Sequence, residues 1–76
     1  NGPYITKITT SIYEHSSWQY FRYNCSLVVK ANGANSFTLN SGDYITIESV
    51  TGATFDGLTI YPTEEEVTIK MKMFGG

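Results

Sequence analysis

Apolar and polar residues alternate along most of the chain, and no window carries the i, i+3, i+4, i+7 apolar stripe of an amphipathic helix. In VTIKMKMF (67–74), Val67, Ile69, Met71 and Met73 share one face. The same two-residue period puts Phe37 and Leu39 inward in SFTLN (36–40), and Leu58 and Ile60 inward in LTIY (58–61). In YITIESV (44–50) it sets Ile45 and Ile47 against Tyr44, Thr46, Glu48 and Val50. In YITKITTSIY (4–13) it groups Tyr4, Ile8 and Ile12 with Thr6 and Thr10, leaving Ile5, Lys7, Thr9, Ser11 and Tyr13 on a wetter face. Each of these stretches predicts a half-buried β-strand.

The run from Trp18 to Ala31 is longer. At about 3.3 Å per residue it would exceed ~40 Å if straight, which predicts a bend, a bulge or a change of sheet. Split by parity, one face reads Phe21, Tyr23, Cys25, Leu27, Val29 and Ala31, a core stripe, and the other begins Trp18, Tyr20, Arg22. Neighbours on one face of a strand lie about 6–7 Å apart, so these three side chains would form one outward patch with stacking and cation-π capacity. A bulge between Trp18 and Phe21 would instead reverse the phase and turn Trp18 into the core. Tyr44 and Tyr61, with Tyr13, add further outward aromatics.

Turn chemistry separates the strands. Asn32-Gly33 and Asn40-Ser41-Gly42-Asp43 supply positive φ or local side-chain hydrogen bonds. Asp56-Gly57 predicts a two-residue hairpin with those two residues at its centre. Six or seven short strands and essentially no helix make an all-β chain, a small antiparallel β-sandwich or barrel in one domain spanning 1–76.

Composition narrows the function more than the fold. The chain has 76 residues, one cysteine (Cys25) and one histidine (His15), so neither an intrachain disulfide nor a Cys/His zinc site can supplement its core. A chain this short buries only about 60% of its unfolded surface, which favours self-association or packing in a parent assembly. The five basic residues are dispersed and the net charge is -2, which argues against nucleic acid as a partner. No apolar run approaches the ~20 residues of a membrane-spanning helix, so no membrane insertion is expected. The start at Asn-Gly-Pro, without Met, suggests a processed product or a module of a longer protein. Ten Thr, seven Ser and five Asn against twelve charged residues give a balance resembling extracellular, cell-surface or virion β proteins.

No residue set predicts catalysis. His15 falls in the polar stretch Glu14-His15-Ser16-Ser17, read as a solvent-facing loop between strands, and no G-x-S-x-G elbow surrounds a serine. Glu64-Glu65-Glu66 lacks the Asp-x-Asp spacing of a calcium loop and reads as a solvated turn, so neither metal nor cofactor is expected. Asn24-Cys25-Ser26 matches the glycosylation sequon by chance in mid-strand, and Cys25 reads as a buried, inert thiol.

The C-terminal Gly75-Gly76 on a chain of 76 residues resembles ubiquitin and the small sulfur-carrier proteins, whose activated diglycine end forms an acyl-adenylate. The resemblance covers the length and the last few residues. That family carries a helix between its second and third strands, and 22–35 offers no candidate for it.

These readings converge on a non-enzymatic structural or binding module of an appendage-like or fibre-like assembly. Trp18, Tyr20, Arg22, Tyr44 and Tyr61 are its expected contact residues, engaging a second copy or another partner. A carbohydrate-binding module, in which Trp and Tyr stack on sugar rings, is the alternative.

Overall fold

The computed structural model of the chain describes residues 1–16 and 20–75. Seven strands follow one another: β1 (Tyr4–Ser16), β2 (Tyr20–Lys30), β3 (Phe37–Thr38), β4 (Tyr44–Thr51), β5 (Ala53–Asp56), β6 (Thr59–Pro62) and β7 (Glu66–Gly75). They form two antiparallel sheets, one of four strands ordered β1-β2-β7-β4 and one of three ordered β3-β6-β5. The all-β expectation holds, with no helix among the described residues. The segment 22–35, where a ubiquitin-like chain would place its helix, is β2 and a turn.

Strand β7 is central to the larger sheet and supplies most of the core. Val67 and Ile69 are fully buried and Met71 and Met73 nearly so, as their alternation predicts, and Cys25, Val29 and Ile60 close around them. Phe37, Leu39, Ile45, Ile47 and Val50 pack at the margin.

Continuous register across the large sheet defines its inner face by rows. Ile12, Tyr23, Met73 and Ile45 make one row, Thr10, Cys25, Met71 and Ile47 the next, Ile8, Leu27, Ile69 and Val50 a third, and Ile5, Val29 and Val67 a fourth. Three bulges make this alignment possible. In β1 the extra residues are Thr6 and Tyr13, and in β4 the extra residue is Glu48. Ile5 thereby joins Ile8 and Ile12 inside the row pattern while Tyr4 turns outward, and Val50 joins Ile45 and Ile47; a strict two-residue period puts all three on the opposite faces.

Of the bend, bulge or change of sheet expected in the long second strand, its described part shows neither a bulge nor a change of sheet. From Phe21 to Lys30, β2 pairs with β7 without a register shift, and Tyr20 and Phe21 pair in sequence with Ser16 and His15. The strand is accommodated because β1, of 13 residues, and β7, of 10, run alongside it, and the molecule is drawn out to 43 × 21 × 20 Å. Its radius of gyration is 13.0 Å, against about 11 Å for a compact chain of this length.

The turns follow their residues with one displacement. Asn32 and Gly33 take φ of 49° and 87°, and the Ala34 N–H donates to the Ala31 carbonyl at 3.0 Å, a type I′ turn. In the β5–β6 hairpin Asp56 pairs with Thr59, so the central residues are Gly57 and Leu58, one position later than the Asp-Gly signal suggests. Gly57 alone has positive φ, 61°, as a II′ arrangement requires. Leu58 is consequently at the turn, partly exposed, and only Ile60 of that pair points into the core. The glutamate run is exposed and tethered: the Asn32 N–H donates to the Glu65 carboxylate at 2.9 Å, and Glu66 lies 3.4 Å from Lys30.

Candidate binding surface

The outer face of the large sheet gathers aromatic and cationic side chains at the end where β2 begins. Register places Glu14, Arg22, Phe74 and Tyr44 in one row across all four strands, and Ser11, Asn24, Lys72 and Thr46 in the next. Arg22 is ion-paired with Glu14, and its guanidinium carbon sits 5.1 Å from the centre of the Phe74 ring. The Tyr44 ring lies 6.1 Å beyond, tilted 59° to Phe74, with Tyr44 itself 79% exposed. Lys72 Nζ stands 4.6 Å from the Tyr13 ring centre, donates to Asn24 Oδ1 at 2.9 Å and lies 3.9 Å from Glu48.

A shallow hollow of ≈ 220 Å³ lies among Tyr13, Arg22, Tyr44, Thr46, Lys72 and Phe74. Its chemistry is an aromatic wall with adjacent cationic donors and a hydroxyl, each cation already facing a carboxylate. Such a surface can stack a flat ring and hydrogen-bond its rim, and it has little pull on a free charge.

Of the five expected contact residues, this surface unites two. Arg22 and Tyr44 are in one row; Tyr61 stands exposed on β6 in the smaller sheet, opposite Thr54, and does not line the hollow. Tyr20 opens β2, paired with Ser16. Trp18 lies outside the described residues, as does the question of a bulge next to it. Sequence reading missed Phe74 and Lys72, although the alternation that buries Met71 and Met73 puts both on the opposite face. His15 is exposed as expected, but within β1 opposite Phe21 rather than in a loop.

A second surface is apolar. Ile5, Ile8 and Ile12 belong to the inner-face rows but remain 50%, 59% and 61% exposed, because the three-stranded sheet does not extend over β1. A groove of ≈ 310 Å³ runs there, lined by Ile5, Ile8, Tyr23, Leu27, Leu39 and Ile45 among others. At its end the Tyr23 hydroxyl donates to Asp43 Oδ2 at 2.6 Å, and this bond to a carboxylate, with burial, raises the Tyr23 pKa to about 12. The Phe21 ring leans on Tyr23, 5.3 Å between centres, and covers Gly75, where a Cβ would sit 2.9 Å from the ring. Gly75 is thus buried within a strand. Burial also raises the Cys25 thiol pKa, which disfavours the thiolate, the reactive form.

Comparison with family models, with curated proteins and with solved structures finds no match to this chain.

Proposed function

We propose that the chain is a non-enzymatic structural module that works by self-association within an extracellular, cell-surface or virion assembly of the appendage or fibre kind. The observation that carries this reading is the exposure of Ile5, Ile8 and Ile12 on the core-facing side of an edge strand. Covering what remains of each isoleucine in a contact is worth about 1 kcal/mol, a substantial supplement for a domain of this size. Support for the location is compositional, from the preponderance of uncharged Thr, Ser and Asn.

Sedimentation across a concentration series tests the proposal. An oligomer that Ile8→Lys dissociates is the expected result; a folded chain that stays monomeric at the highest attainable concentration overturns it.

The outer hollow favours a second reading, carbohydrate binding, because Tyr44 and Phe74 offer ring faces beside Lys72 and Thr46. Titration with a broad glycan panel, followed by amide chemical shifts, should then move residues of that hollow, Tyr13 among them, and leave Ile5 and Ile8 at the other end of β1 unchanged. No shift with any glycan ends this reading. The carrier reading has less support, since Gly75 would have to leave β7 to expose an activated end.

A further inference from the structure

Resting on the self-association reading, we infer that the partner of β1 is the β1 of a second copy, joined edge to edge and antiparallel about a twofold axis at Thr10. The four edges of the two sheets are unequal. β3 and β5 have two and four residues, and β4 is interrupted near its middle by the Glu48 bulge. β1 has 13 residues, pairs on one side only, and carries its bulges at Thr6 and Tyr13, leaving 7–12 as an unbroken edge. Natural edges are guarded by charges, prolines or brevity. This stretch has no proline and no charge between Lys7 and Glu14.

Its pattern is complementary to its own reverse. Following the β1–β2 register and passing over the two bulged residues, the successive rows are Tyr4, Ile5, Lys7, Ile8, Thr9, Thr10, Ser11, Ile12, Glu14, His15 and Ser16, with Thr10 in the middle. An antiparallel copy centred there sets Thr10 opposite Thr10 of its mate, Thr9 opposite Ser11, Ile8 opposite Ile12 and Lys7 opposite Glu14. Hydroxyl, β-branched and opposite-charge pairs are those that stabilise adjacent strands. Ile8 and Ile12 of both copies meet on the inner face, and Ile5 falls opposite His15. Among the described residues Lys7 makes no ion pair, so it is available to a neighbour.

The contact is modest: the small sheet does not reach β1, so the strip is one sheet thick, about 10 Å, along a 43 Å axis, below the ~800 Å² per partner of a standard interface, which is the size of a weak dimer. The product is one eight-stranded antiparallel sheet with the two small sheets on its flanks, a closed isologous dimer.

Cross-linking and charge reversal test the geometry. Opposed residues of antiparallel strands have Cα atoms about 4.5–5.5 Å apart, within disulfide reach. Thr10→Cys is therefore made with Cys25→Ala, since Cys25 is the neighbour of Thr10 within one chain. Under oxidised glutathione this variant should become a covalent dimer, and a Tyr44→Cys/Cys25→Ala control at the opposite edge should not. In sedimentation, Lys7→Glu should weaken the dimer about tenfold, and Lys7→Glu/Glu14→Lys should restore it. A dimer that cross-links at Tyr44→Cys only, or that ignores the charge reversal, overturns the β1 geometry and leaves self-association standing. A wild-type chain that is monomeric throughout overturns both.

Discussion

Gly52 shows how one residue can fasten two layers. It has φ of +81°, its carbonyl accepts the N–H groups of Thr63 and Glu64 at 2.9 and 3.1 Å, and a Cβ built on it would sit 2.5 Å from the Glu66 carbonyl oxygen. Both the backbone conformation and the space exclude a side chain, so Gly52→Ala should cost about 2–3 kcal/mol in denaturant melts. Tyr23 makes a different contribution, tied to pH. Its pKa is raised from 10.0 to about 12 by the bond to Asp43, so between those values the folded state holds a proton that the unfolded chain has released. This stabilisation is complete below about pH 10 and fades as the pH rises toward 12. Melts at pH 8 and pH 11 should show a smaller alkaline loss for Tyr23→Phe than for wild type. Neither feature was legible in the sequence: Thr51-Gly52 reads as a turn, but Glu66 and Asp43 reach these sites only through tertiary packing.

At the scale of elements, alternation located the strands, and bulges decided which way their residues face. The β7 pattern survives intact because β7 itself carries no extra residue, the bulge of the β4–β7 ladder lying in β4. In β1 and β4, extra residues at Thr6 and Glu48 reverse the phase for Tyr4, Ile5 and Val50, and nothing about a threonine or a glutamate announces a bulge. The β5–β6 hairpin is a smaller instance of the same limit. Asp56-Gly57 marks its place, yet the ladder closes at Asp56 and Thr59, which shifts the demand for positive φ to Gly57 alone. Gly57→Ala should therefore cost about 1 kcal/mol while Asp56→Ala stays within about 0.5, as read from urea midpoints.

For the whole molecule, the described part of the aromatic run divides by face. Phe21 and Tyr23 belong to the inner rows, and Arg22 belongs to the outer hollow beside Phe74 and Tyr44. Length alone implied that the core needed help, and composition ruled out disulfide and zinc. What neither could convey is where the deficit lies, because that depends on how little of the large sheet the small one covers. The deficit is concentrated along β1, the one strand with all its described side chains from Tyr4 to His15 exposed.

The central place of β7 also has a consequence in time. It is the last strand of the chain, yet it is the one that hydrogen-bonds both β2 and β4, with Phe21 paired to Gly75 and Tyr44 to Phe74. Until residues 66–75 slide between them, the β1–β2 hairpin and the β4 region have no common ladder. Such distant pairings close slowly. A β1–β2 hairpin formed in that interval would display its isoleucines, and on the proposed β1 pairing two such chains would meet there before either large sheet is finished.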